Sequence, residues 1–428
     1  MTLLNLCVLA RRKVLFVLCA VGALQYGAAL PAAGLLPLPL DETIERALDG
    51  APQLAASRAA IEAASQSAIS AGQLPDPELI VGVDNVPVTA LDRFSLGRDF
   101  MTMRKVGVMQ AVPNQARRQL LTEEAQQQVT LADARLRAER FDIAIDAAQA
   151  WIDQAVVAQS LQRLRALRAD LALQTEVAGI AFANGRGSAA EALAAESVLA
   201  GLDARILEFE QRGALSRTAL ARWIGEAADR PPADLPWRMR TQQRAADTRD
   251  SLRAAPLASV EPQLALARTG VALARAAKHP DWSVEFSYLN RAAGNPDMVS
   301  LQFRIGLPLF TQDRQDPQIA ARLAEVRAQE ATREQAIRAY RAQVDSAVTV
   351  LQSGSTRLEH FESVLLPLAR DRARAAGAAY GGGRGELREV LDALVAQADL
   401  DLAFTQLAGE VTRAGVFLQL AAWSGETP

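Results

Sequence analysis

Over residues 282–288 and again over 299–307 the apolar side chains fall on every second position. Trp282, Val284, Phe286 and Tyr288 alternate with Ser283, Glu285 and Ser287; Val299, Leu301, Phe303, Ile305 and Leu307 alternate with Ser300, Gln302, Arg304 and Gly306. A period of two predicts strands with one apolar and one polar face. Two earlier runs, 78–88 and 100–112, are also extended but alternate less cleanly. The rest of the pattern is helical: shorter helices over 41–73 and 256–278, very long ones over 115–182 and 317–379, and return helices over 188–225 and 386–423. A helix of nearly seventy residues is about 100 Å long, and such lengths persist only in coiled coils. Strands of about ten residues are long enough to cross a bilayer when tilted. Four strands cannot close a barrel, and an open sheet edge is not tolerated in lipid. If these strands cross a membrane, several chains must pool them, and three copies would supply twelve.

The chain repeats itself. Ala51-Pro52 is echoed by Ala255-Pro256, and Leu74-Pro75-Asp76 by His279-Pro280-Asp281. "VGVMQAVPNQARR" is echoed by "FRIGLPLFTQDRQ", "FANGRG" by "YGGGRG", and "RWIGE" by "AWSGE". These landmarks keep their order at an offset near two hundred residues. The division is repeat 1 at 40–230 (strand pair 78–112), a proline-bearing linker at 231–240, and repeat 2 at 241–428 (strand pair 282–309). The fold class is mostly α with a small β part.

Composition sharpens this reading. Half of the residues are hydrophobic but only 5% are aromatic, which suits closely packed alanine-rich helices. The net charge of −3 is too small to argue for nucleic acid or an anionic surface. Residues 1–29 carry Arg11, Arg12 and Lys13, then an apolar run and small residues near Ala29 and Ala33, the pattern of a secretory signal peptide cleaved near 29–33. Both cysteines, Cys7 and Cys19, lie in it. The mature chain is thus expected to hold no disulfide and no cysteine-based zinc site. Phe16-Val17-Leu18 before Cys19 lacks the small residues that acylation sites want. Export without disulfides points to a Gram-negative envelope.

The two-fold repeat, the opening "PQLAASRAAIEAA…LPDPEL", the strand pairs and the "GRG"-interrupted helical hairpins resemble the TolC family of outer-membrane efflux proteins, over essentially the whole mature chain. The stretch "DRFSLGRDFMTMRKVGVMQAVPN" looks closest to components of heavy-metal efflux systems of the cobalt-zinc-cadmium and copper-silver type. The resemblance implies a homotrimer whose twelve-stranded barrel sits in outer-membrane lipid and continues as a coiled-coil α-barrel through the periplasm. It implies a passive duct with no catalytic site and no cofactor. Its partners would be a periplasmic adaptor and an inner-membrane transporter of the resistance-nodulation-division (RND) class. It also implies that the turns Gly185-Arg186-Gly187-Ser188 and Gly383-Arg384-Gly385-Glu386 are the periplasmic tips where adaptor hairpins dock.

For those tips two readings stay open: Arg186 and Arg384 offer planar donors to an adaptor, or they merely satisfy helix-terminal carbonyls. A phosphate loop is rejected, since no Gly-Lys-Ser/Thr follows and no strand precedes. Asp371, about ten residues before the second tip, is a candidate entrance gate, because symmetry would make one carboxylate a ring. Arg370, Arg372 and Arg374 around it favour a solvated carboxylate instead. Met101 and Met103 are candidate soft-metal contacts, against ordinary strand packing, and the pattern does not decide whether their face is lumen or lipid. His279 and His360 are dispersed. Trp223 and Trp423 are expected as packing anchors. Rival functions are drug efflux, type I protein secretion, and a periplasmic coiled-coil scaffold without a barrel.

Overall fold

In the computed structural model, residues 36–89, 91–238, 254–291 and 294–422 are described. The expected signal peptide, Cys7, Cys19 and Trp423 lie outside the described residues. The helix expected over 41–73 is two, α1 (Leu40–Gly50) and α2 (Pro52–Ser70). Ala51 between them is extended because the ring of Pro52 disfavours helical backbone in the residue before it. Strands β1 (Glu78–Asp84) and β2 (Met103–Val112) follow. Next come the helices α3 (Gln115–Ala183) and α4 (Ala189–Ile224). The second half supplies α5 (Val260–Ala276), β3 (Trp282–Arg291) and β4 (Met298–Ile305). It ends with α6 (Gln315–His360), α7 (Leu366–Gly381) and α8 (Leu387–Ala421).

Where one helix was expected over 317–379, a π-helical turn at Phe361–Leu365 separates α6 from α7. Pro367 stands at the start of α7. Its missing N–H and its ring disturb an α-helical ladder, and a wider turn absorbs the mismatch. The first repeat has no proline there, and α3 runs unbroken for 69 residues.

The four strands form one antiparallel sheet in chain order, β1-β2-β3-β4. The central pair joins the repeats: Val108 faces Phe286 and Val112 faces Trp282. The main core lies in the helical body. There Trp151, Ile152, Tyr340, Val344, Leu358 and Val411 are buried together. The Trp151 indole N–H donates to the Leu38 carbonyl at 2.9 Å, and Leu38 pairs with the linker through the Pro231 carbonyl and the Ala233 N–H. Burial of the Tyr340 ring pushes its phenol up to about 12, so it stays protonated.

Two glycines set the closeness of this packing. A Cβ on Gly409 would lie 2.5 Å from Val156 Cγ2, and one on Gly354 would strike Val411. These gaps let α8 settle against α3 and α6. Alanine usually gains up to about 1 kcal/mol over glycine inside a helix. At Gly409 the sign should reverse: Gly409→Ala should lower stability by roughly 1–3 kcal/mol through overpacking, read as a drop in melting temperature.

The end of repeat 1, just before the linker, is also held electrostatically. Arg230 donates to both oxygens of Glu42, at 2.5 and 3.1 Å, and Arg46 adds a bond at 2.8 Å. Arg230 first, then Arg46, holds the Glu42 carboxyl below the usual glutamate range. Its stabilising contribution is present above the unfolded pKa of about 4.3 and lost as pH falls through the lowered folded value. Between about pH 6 and about pH 3 the wild-type melting temperature should therefore fall further than that of Glu42→Gln.

Candidate functional site

The sheet register sorts its side chains into two faces. One face carries the row Leu79, Val108, Phe286, Leu301 and the row Val81, Val106, Tyr288, Val299 across all four strands. These eight side chains are between 46% and 71% exposed. Apolar surface continuous over four strands and left open to the medium is rare on a water-soluble body. The opposite face is polar and crowded. Glu285 is buried there, held by Lys105 Nζ at 2.5 Å, by Arg304 and by the Ser287 hydroxyl at 2.9 Å. Gly107 sits beside Ser287, where a Cβ would lie 2.8 Å from the Phe286 carbonyl. A carboxylate with two cationic partners and a hydroxyl donor is a satisfied polar cluster. Its members come from β2, β3 and β4, and only the register brings them together.

The two tips share one geometry. Gly185 and Gly383 have φ of 69° and 68°, a left-handed backbone that favours glycine. The Gly185 N–H donates to the Phe182 carbonyl and the Arg186 N–H to that of Ala181; Gly383 and Arg384 donate likewise to Tyr380 and Ala379. Each is a Schellman ending, in which backbone donors satisfy the last carbonyls. Gly187 and Gly385 then pass close to the helix just completed, with Cβ positions 3.3 and 3.0 Å from Ala181 and Ala379. Neither Arg186 nor Arg384 has a side-chain hydrogen bond or ion pair among the described residues, and both are exposed. The terminal carbonyls thus owe nothing to the guanidinium groups. The tips differ in the next helix. Ser188 and Glu191 form a capping box, with the Ser188 N–H donating to Glu191 Oε2 at 2.9 Å. Glu386 caps α8 with no side-chain bond, leaving its carboxylate exposed.

Asp371 is exposed on α7 and paired with Arg374, so its charge is largely met within its own helix. Met103 opens β2 and shares the polar face with Lys105. Met101 lies outside the strand, in the preceding turn, with its N–H bonded to Asp99. Met101 and Met103 therefore do not lie on one strand. Among the described residues no group of three or more His, Cys, Asp or Glu side chains could hold a metal ion. His360 closes α6 at the π turn and His279 follows α5. Trp223 packs against the cluster of Ala47, Leu54 and Ile143, under the Arg222 guanidinium. The acidic row Glu139, Asp142, Asp146 on α3 escaped sequence reasoning. Burial first, then the two flanking carboxylates, raises the Asp142 pKa; the i, i+3 and i+4 spacing was the available signal.

No protein-family model matches the chain, and no curated protein matches it. Solved structures do. A membrane protein from Pseudomonas aeruginosa superposes with a TM-score of 0.78 at 19% identity, covering 91% of each chain. The outer membrane protein VceC from Vibrio cholerae gives 0.75 at 20% identity, over 90% of this chain and 95% of VceC. CusC, described by its transmembrane channel formation, gives 0.74 at 16% identity, over 92% and 95%. The chain has the fold of an outer-membrane channel. In this channel fold the sheet and the Gly-Arg-Gly tips mark opposite ends of α3, about 100 Å apart at ~1.5 Å per residue. No helix among the described residues is long and apolar enough to cross a membrane.

Proposed function

We propose that the chain is a TolC-family outer-membrane efflux channel: a passive duct closed by three copies, fed by a periplasmic adaptor and an RND-type transporter. One observation carries this reading. Two apolar rows cross a four-stranded sheet whose outer edges, on β1 and β4, have no strand partner among the described residues. In hydrocarbon such edges leave backbone groups unsatisfied at several kcal/mol each. Further copies that continue the sheet satisfy them and keep the apolar face against lipid.

The helices support the same closure. Leu193 and Leu391 each stand seven residues after their tip arginine. Leu391 is 3% exposed in a cluster with Leu167 and Leu171 of α3, whereas Leu193 on α4 is 63% exposed. Within one chain, α8 of repeat 2 covers its flank with the long helix of repeat 1. The matching partner for α4 is the long helix of repeat 2 in a neighbouring copy.

Heavy-metal cations are the proposed cargo, from the likeness of residues 92–114 to metal-efflux components. Deleting the gene should raise sensitivity to one or more of copper, silver, zinc and cobalt, with antibiotic sensitivity unchanged. Sensitivity to antibiotics alone would move the cargo to drugs, and no change in either would remove efflux.

A further inference from the structure

The apolar face of the sheet ends at the row Val112, Trp282, Ile305. Beside that row, where β2 turns through Pro113 into α3, lies a cleft of about 430 Å³. Trp282 and Val112 form its apolar side. Gln115, Arg118, Gln119 and Thr122, on the first turns of α3, form its polar side.

The guanidinium in this cleft is held in place. Arg118 Nε donates to the Gly72 carbonyl at 2.8 Å. Gly72 has φ of 76°, and a Cβ there would lie 2.6 Å from the Arg118 carbonyl, so only glycine lets the α2 turn reach the arginine. Asp281, a nearby carboxylate, is already engaged: it pairs with Arg117 at 2.9 Å and accepts the Asn114 N–H at 2.7 Å. No carboxylate is bonded to Arg118 among the described residues. The result is an unneutralised planar cation, flanked by two side-chain amides at the positive end of a long helix, with an indole on the apolar side.

We infer that this cleft seats the phosphate of a phospholipid headgroup, with the acyl chains lying along the apolar face above Trp282. The inference rests on the channel reading, which puts that face in lipid. Guanidinium groups meet phosphate oxygens in paired, charge-assisted bonds. Tryptophan is enriched where the apolar slab gives way to headgroups. A soluble protein partner would explain the cation but not an indole at the margin of a lipid-facing sheet.

The test is to extract the full chain from outer membranes in mild detergent, wash the trimers, and quantify phospholipid per chain by mass spectrometry. The wild type should retain about one phospholipid per chain. Arg118→Gln keeps a donor for the Gly72 carbonyl but removes the charge. Gln119→Glu leaves that contact alone and puts a carboxylate in the cleft. Both should retain roughly ten-fold less, the loss of one charge-assisted interaction. Equal retention by wild type and both variants overturns the inference. So does wild-type protein that holds inorganic phosphate but no lipid, which makes the source a free anion. A wild-type chain absent from outer membranes overturns the channel reading and this one together, whereas membrane-borne trimers with unchanged lipid overturn this one alone.

Discussion

Leu301→Arg should leave the helices folded and keep the chain out of the outer membrane. Leu301 sits in β4, on the row shared with Leu79, Val108 and Phe286, and is 61% exposed on the apolar face. An arginine on the lipid face of a barrel costs about 2–4 kcal/mol at the midplane. In the proposed cylinder each copy would carry that cost, so three copies would multiply it to roughly 6–12 kcal/mol per barrel. Gln302→Arg is the control, because Gln302 is the next residue and lies on the polar face in the row of Glu285. Density-gradient fractionation should find Gln302→Arg in the outer membrane and Leu301→Arg largely missing from it. Equal insertion of the two would show that the apolar rows do not face lipid.

Reversing both tip arginines, in Arg186→Glu with Arg384→Glu, should abolish most cross-linking to the adaptor while trimers persist. The turns hold themselves through backbone bonds and the positive φ of Gly185 and Gly383, so the side chains are dispensable for the reversal of the chain. A charge-assisted hydrogen bond contributes about 1.5–3 kcal/mol, or roughly ten- to hundred-fold in affinity per tip. Charge reversal adds repulsion to that loss. The paired Arg186→Gln and Arg384→Gln variants should show a smaller loss. Cross-linking yield in membranes, scored beside trimer abundance, separates the outcomes. Undiminished yield would remove the arginines from docking, and loss of trimers would make them structural.

How far the sequence carried depended on the distance between the residues concerned. β3 and β4 stood out because Trp282 to Tyr288 and Val299 to Ile305 alternate cleanly. β1 and β2 were harder, since Gly82, Gly107, Arg104 and Lys105 blur both faces. The Ala51-Pro52 break and the π turn before Pro367 each had a proline as their signal, overridden by the long helical pattern around them. The Lys105, Glu285 and Arg304 cluster had no local signal, because strand register across the two repeats creates it. Gly354 and Gly409 were hidden in the same way: a glycine within an alanine-rich helix reads as a weak point until Val411 and Val156 are found against it. The tips were the reverse case. The repeated Gly-Arg-Gly marked them at once, and the structure adds that both arginines stand clear of the helix ends they follow.

The most direct measurement is the mass of the particle extracted by detergent from purified outer membranes, determined by light scattering with the detergent contribution subtracted. Three chains per particle is the expected result. A single chain per particle, or protein that leaves the membranes in buffer without detergent, would contradict a cylinder closed by copies of this sheet.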